Sequence, residues 1–190
     1  PDVVLNQLYR FSQLQVTFSL NFLVLVDGKP RQMSIKRLIE EYIRHRTEVI
    51  RRRTQFLMAK ARSRKHTVEG LLLALANIDE VVQVIRNSGT QAQAKERLMQ
   101  IECPAALLER ALGQRGFTAF QEERGEAGSY TLTPVQADAI LKMTLGQLVN
   151  LEQERLGDEH QKLLNNIAEY LEILSDHSNL LKIVRDDLAE

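Results

Sequence analysis

Tryptophan is absent, cysteine occurs once, and aromatic residues make up 5% of the 190 positions. That supply is too thin for a large compact core, because aromatic rings carry much of the buried area in ordinary domains. The lone Cys103 rules out an internal disulfide framework and fits a reducing, cytoplasmic compartment. Standing before Pro104, it reads as a small buried apolar residue. No apolar run reaches about 18 residues, so no helical membrane span is expected. The opening PDVVLNQLYR lacks a basic-then-apolar leader, and so abrupt a start reads as a piece excised from a longer protein. Net charge is absent too, with 25 Lys and Arg against 25 Asp and Glu, so the total gives no pull toward nucleic acid or membrane. No Ser-His-Asp set, glycine-rich phosphate loop or zinc spacing occurs, and the search for catalytic chemistry ends empty.

What is present is a long stretch free of Gly and Pro, residues 34–66, SIKRLIEEYIRHRTEVIRRRTQFLMAKARSRKH. Ile35, Tyr42, Val49 and Phe56 recur at sevens, and Ile43, Ile50 and Leu57 widen the stripe by one position. This spacing predicts one helical arm, roughly 45 Å long at about 1.5 Å per residue, with a sticky stripe that needs a partner. Residues 148–176 supply one. Val149, Leu156, Leu163 and Tyr170 recur at sevens there, with Ile167 and Leu174 at the alternate positions and Gln153 and His160 as interruptions. The first arm is strongly basic and the second acidic, so an antiparallel coiled coil is the economical reading. Exposed ion pairs contribute only about 0–1 kcal/mol each, so the apolar seam holds the arms and the charges choose the register.

The remaining segments arrange themselves around this pair. Residues 3–11 read as a short amphipathic helix. Asp27-Gly28 between apolar runs is a two-residue turn signal, predicting a β-hairpin of residues 18–26 and 29–33, with Pro30 keeping the second strand at an edge. Ser34 caps the long arm. Between the arms, residues 67–147 read as a small helical cap. Val68 to Ile85 form a dense stripe stopped near Gly89, a polar helix follows over 90–100, and Pro104 opens a third helix. Gly113, Gly116, Gly125 and Gly128 punctuate an expected loop, residues 130–132 an extended segment, and Thr133-Pro134 a capped helix start. Residues 177–190 form a terminal helix. The fold class is therefore mainly α: a long antiparallel coiled coil, a small helical cap and a short β-hairpin near the N-terminus. The apolar stripes of the cap, Leu71, Leu75, Ile78, Ile140 and Met143, exceed the needs of one cap and predict a two-fold contact with a second copy.

Several polar groups invite sharper readings. Arg51, Arg52 and Arg53 offer a transient contact for DNA, set against the plainer reading of a solvated face paired with the acidic arm. His66 and Glu69 have a metal-like spacing, but without a ligand cluster a role at the junction of arm and cap is expected, and no metal. Asn77 to Glu80 read as a helix surface or cap. His45 and His160, in or beside the seam, read as polar register-setters whose protonation would loosen the arms.

Four blocks then carry a resemblance. LNQLYRFSQLQVTFSLNFLVLVDGKPR, YIRHRTEVIRRRT, HTVEGLLLALANIDEVVQVIR and LTPVQADAILKMTLGQLVNLEQE follow one another as in the breakage-reunion subunit of bacterial type IIA topoisomerases. The chain resembles this family along essentially its whole length, and its VTFSLNFLVLVDGKPR block is more similar to the DNA gyrase member than to the topoisomerase IV member. The resemblance implies that residues 1–33 end a tower region, that 34–66 and 148–176 are coiled-coil arms, and that 67–147 dimerise as the C-gate, the exit for a transported duplex. It implies a homodimer, the gyrase B subunit as partner, double-stranded DNA as substrate and an ATP-dependent enzyme as parent. The family's cleaving tyrosine lies upstream, and none of Tyr9, Tyr42, Tyr130 and Tyr170 matches it. The chain alone is therefore expected to be inactive and to hold no cofactor, ATP and Mg belonging to the partner subunit. LKMTLGQLVNLE departs from the family's LDMRLQRLTGLE, with Lys142, Thr144 and Gly146 at the junction of cap and arm, which puts the family's ion pairs there in question. From another class, a coiled-coil scaffold without a DNA link accounts for the arms but gives the hairpin no purpose.

Overall fold

The computed structural model describes residues 2–143 and 153–189. The chain divides into two compact units, Pro1–Val49 and Ile50–Glu190. The mainly helical class with one N-terminal hairpin is what the sequence predicts.

In the first unit, helix α1 (Asp2–Phe11) precedes strands β1 (Phe22–Val26) and β2 (Lys29–Met33) and the start of helix α2 (Ile35–Ala76). Asp27 and Gly28 both have positive φ, 51° and 74°, the conformation a tight two-residue hairpin turn demands. Pairing runs from Val26↔Lys29 to Phe22↔Met33. β1 begins at Phe22 rather than at residue 18, because β2 has no residues left to pair: Ser34 is already the cap of α2, its hydroxyl accepting from the Arg37 amide. Val26 is buried beneath the hairpin, while Leu23 and Leu25 stay exposed. Arg44 reaches Glu41 at 2.6 Å and Asp27 at 3.5 Å, tying the turn to the first part of α2.

In the second unit, α2 continues without a break to Ala76, ten residues past the expected end of the arm. Its last turns, Val68 to Ala74, are almost wholly buried and form the floor of the cap. Asn77 interrupts the stripe read over residues 68–85, and α3 (Ile78–Arg86) starts after it. α4 (Gln91–Leu98) follows, with the Thr90 hydroxyl accepting from the Gln93 amide. Strands β3 (Glu102–Pro104) and β4 (Ser129–Thr131) pair antiparallel across Cys103↔Tyr130, so Cys103 is buried as expected. Burial pushes its thiol up from the ordinary value.

Helix α5 (Ala105–Arg124) occupies most of the expected glycine-punctuated loop. Gly113 has φ 71° and kinks it, yet Leu112, Gly116, Phe117 and Phe120 are buried on either side. Burial of this apolar face outweighs the roughly 1 kcal/mol helix penalty of each glycine. Tyr130 stands edge-on to Phe120, 4.9 Å between centroids, and its hydroxyl donates to the Gly125 carbonyl. α6 (Pro134–Leu141) opens with the Thr133 cap, completed into a reciprocal box by Gln136. α7 (Gln153–Ser175) and α8 (His177–Ala189) close the chain. The predicted seam residue Val149, and Thr144 and Gly146 of the divergent block, lie outside the described residues.

Candidate functional site

Three contacts fix how α2 and α7 meet within the second unit. Glu69 Oε1 lies 3.2 Å from His160 Nε2. Arg64 Nε lies 2.6 Å from Glu159 Oε1. Ile50 shares an apolar cluster with Ile173 of α7 and with Leu180, Ile183 and Val184 of α8. From the Arg64 and Glu69 contacts near residue 160 to Ile50 beside Ile173, numbers fall along α2 as they rise along α7, so the helices are antiparallel.

The seam on α2 lies one position from the expected one. Its sheltered residues are Ile50, Thr54, Leu57, Ala61, Lys65 and Val68. Phe56 is 67% exposed, and Ile35, Tyr42 and Val49 are also exposed. Two stripes compete on this helix, and the one through Ile50 and Leu57 is the sheltered one, Ile50 packing beside Ile173 of α7; residue size alone favours the other, because the sheltered stripe alternates large residues with Thr and Ala. On α7, Leu156 and Ile167 are buried and Leu163 and Tyr170 half-buried. His160 sits inside this seam with no exposure, whereas His45 is exposed.

Arms and cap meet at a polar joint. Lys65, His66 and Glu69 come from α2, Glu123 from α5, Thr133 and Gln136 from the start of α6, and His160 from α7. Lys65 Nζ is 2.7 Å from Glu123 Oε1 and 3.5 Å from Glu69 Oε1. His66 Nε2 is 2.8 Å from Thr133 Oγ1, and the Gln136 amide donates to the His66 carbonyl at 2.8 Å. Gly70 leaves room for Gln136: a Cβ there would lie 2.5 Å from Gln136 Cγ. Gly116 of α5 does the same for His160, whose Nδ1 would be 3.0 Å from an added Cβ. The joint thus binds four helices through polar groups, of which Lys65, Glu69, Gln136 and His160 are buried, where each unmet partner costs about 1–3 kcal/mol.

One turn away, the Arg64–Glu159 pair is two-toothed, its second bond running from Nη2 to Oε2 at 3.0 Å. That hydrogen bond holds the Glu159 carboxyl below, and the Arg64 guanidinium above, their ordinary values. Among the described residues no cluster of three metal-ligating side chains exists, and no helix is long and apolar enough to cross a membrane.

The five apolar cap residues divide. Leu71 and Ile140 are buried in the core of this chain, while Leu75, Ile78 and Met143 are half-buried at its margin. Arg51, Arg52 and Arg53 are exposed on α2. The joint itself is only partly readable in the sequence: spacing singles out His66 and Glu69, but not Lys65, Glu123, Gly116 or Gln136. The i,i+4 pair Lys65–Glu69 and the Thr133-x-x-Gln136 capping box are the available signals.

The chain matches, over residues 1–189, the sequence model of the family that comprises the A subunits of DNA gyrase and topoisomerase IV. It is 41% identical to the DNA gyrase A subunit of Pseudomonas aeruginosa, covering 98% of this chain and 21% of that protein. It is 42% identical to the DNA gyrase A subunit of Aeromonas salmonicida, with the same two coverages. The protein of the same name from Neisseria gonorrhoeae is 38% identical, over 100% of this chain and 22% of its own length. The chain thus spans about a fifth of the length of these curated relatives.

Proposed function

The chain belongs to the family of DNA gyrase and topoisomerase IV A subunits, and from that premise we propose that it is the exit-gate module of a type IIA DNA topoisomerase. Residues 50–66 of α2 and helix α7 are arms, and the cap at their end pairs with the cap of a second copy. The observation that carries this reading is the antiparallel pairing of α2 with α7, locked at the cap by the buried joint around Glu69 and His160. A gate needs stiff arms, so that opening happens where the two copies meet rather than along each arm.

Leu75, Ile78 and Met143 are the cap residues with surface left for that contact; Leu71 and Ile140 support it from inside. The contact should be modest in area, because it opens once per cycle and closes again. The transported double-stranded DNA passes between the paired arms of one copy and those of the other, and touches Arg51, Arg52 and Arg53 in transit. The chain is inactive alone: strand cleavage, ATP and Mg belong to the rest of the parent protein and to the gyrase B subunit.

The test is strand passage by the full-length protein carrying Leu75→Glu and Ile78→Glu, assembled with its partner subunit. Strand passage driven by ATP should fall at least about tenfold, the effect of roughly 1.4 kcal/mol at the gate, while the protein keeps its helical content. Unchanged strand passage would favour a scaffold role for arms and cap.

A further inference from the structure

The two arms differ in the charge they turn outward. From Ile50 to Val68, α2 holds seven Lys and Arg and no Asp or Glu. Arg64 is engaged by Glu159 of α7, and Lys65 by Glu69 and Glu123. Arg51, Arg52, Arg53, Lys60 and Arg62 are exposed. Their places follow from the sheltered stripe of Ile50, Thr54 and Ala61. Arg53 precedes Thr54 and Lys60 precedes Ala61, on one flank of that stripe. Arg51 follows Ile50 and Arg62 follows Ala61, on the other flank. Arg52 stands two residues from both Ile50 and Thr54, about 200° round the helix, on its back.

Helix α7 has the reverse arrangement. Leu156, His160 and Ile167 are buried, and His160 meets Glu69 of α2. Glu154 and Asp158 stand two residues before and after Leu156, and Glu169 two residues after Ile167, again about 200° away. All three are exposed, as is Glu172. This row therefore lies on the back of α7, turned away from α2. Against its four acids α7 carries two cations, Arg155 and Lys162, so the back stays net acidic. From Arg51 to Arg62 the basic side runs about 16 Å at about 1.5 Å per residue. Beside that length a duplex carries about ten negative charges. The cations spread over both flanks and the back of α2 rather than gathering round exposed Phe56. That spread suits a phosphate backbone better than an acidic protein with a pocket for one ring.

We propose that each arm is electrically two-sided. The duplex is held by its phosphates along the α2 side, through Arg53, Lys60 and Arg62 beside Arg51 and Arg52. The acidic row of α7 repels it and keeps it off the other side. This rests on the exit-gate reading and adds to it which side of each arm lines the passage. Phosphate contacts carry no sequence information, as a passage for any duplex requires.

The test is binding of a short fluorescent DNA duplex to the 190-residue chain over a range of salt concentrations. Arg53→Gln, Lys60→Gln and Arg62→Gln together should weaken binding about tenfold at low salt, and each lost phosphate contact should flatten the slope of log affinity against log salt by about 0.9. The same loss of charge on the cap, at exposed Arg86, Arg110 and Arg115 changed to Gln, should leave that slope as it is. Asp158→Asn, Glu169→Gln and Glu172→Gln together should tighten binding, and Phe56→Ala should leave it unchanged. Equal weakening by the arm and cap variants would overturn the proposal, as would no tightening when the α7 acids are neutralised. Loss of binding in Phe56→Ala would also overturn it, because a site centred on the ring fits an acidic protein with an apolar pocket. None of these results touches the gate reading, which dimerisation of the cap decides.

Discussion

Arg64 and Glu159 face each other across the two arms, two guanidinium nitrogens on both carboxylate oxygens, at 2.6 and 3.0 Å. They are 95 residues apart in sequence, and their pairing fixes one register of α2 against α7. Both side chains are partly exposed, 50% and 34%, so solvent screens the contact and its worth is about 0.5–1 kcal/mol. Arg64→Glu should lower the urea midpoint by an amount of that order, and Arg64→Glu with Glu159→Arg should recover most of it. Equal loss in the single and double variants would mean that the pair does not set the register.

The same pair gives a prediction in acid. The Glu159 carboxyl is held below its ordinary value by the Arg64 hydrogen bond, so its contribution is present above the ordinary carboxylate range and is lost as the pH falls through the lower value of the folded state. Thermal scans below about pH 4.5 should show the native chain losing stability faster than the Glu159→Gln variant. Parallel curves would contradict this.

The core of the cap predicts large effects at positions that the sequence offers for a contact between copies. Ile140→Ala should cost about 2–5 kcal/mol, like other large-to-small changes at fully buried sites, because Ile140 is 1% exposed. Val135, 61% exposed on the same helix, should tolerate Ala within about 0.5 kcal/mol. Denaturation followed by far-ultraviolet dichroism separates the two, and similar costs at both would place Ile140 outside the core.

Two glycines predict opposite kinds of damage. Gly70→Ala forces a methyl to 2.5 Å from Gln136 Cγ, and Gln136 is held by His66 and Thr133, so overpacking should cost about 1–3 kcal/mol. Gly113 has open space around it but φ 71° and ψ 162°, a conformation that essentially only glycine adopts, so Gly113→Ala should cost about 1–3 kcal/mol through backbone strain alone. Gly113→Asn should cost a similar amount, because ψ lies far from the left-handed helical region that Asn tolerates. A neutral Gly113→Ala would argue against strain at the kink.

Much of this architecture is legible in the sequence because local signals agree with it. Asp27-Gly28, Ser34, Thr133-Pro134 and the stop near Gly89 mark real boundaries. The α2 seam is not legible in the same way, because the exposed stripe of Ile35, Tyr42, Val49 and Phe56 is the more apolar of the two; Ile50, Thr54 and Ala61 are the residues buried instead, and Ile50 packs beside Ile173 of α7. The helix through Gly113 and Gly116 is equally invisible locally, since it exists to bury Phe117 and Phe120 and to make room for His160. The joint is hidden for a related reason. Its members are spread over four helices from Lys65 to His160, and no spacing along the chain brings them together.

The most direct measurement is sedimentation equilibrium of the 190-residue chain over a range of concentrations, beside the Leu75→Glu, Ile78→Glu variant. The account predicts a reversible dimer for the native chain and a folded monomer for the variant. A native chain that stays strictly monomeric at high concentration, or a dimer that the two charges leave intact, would contradict it.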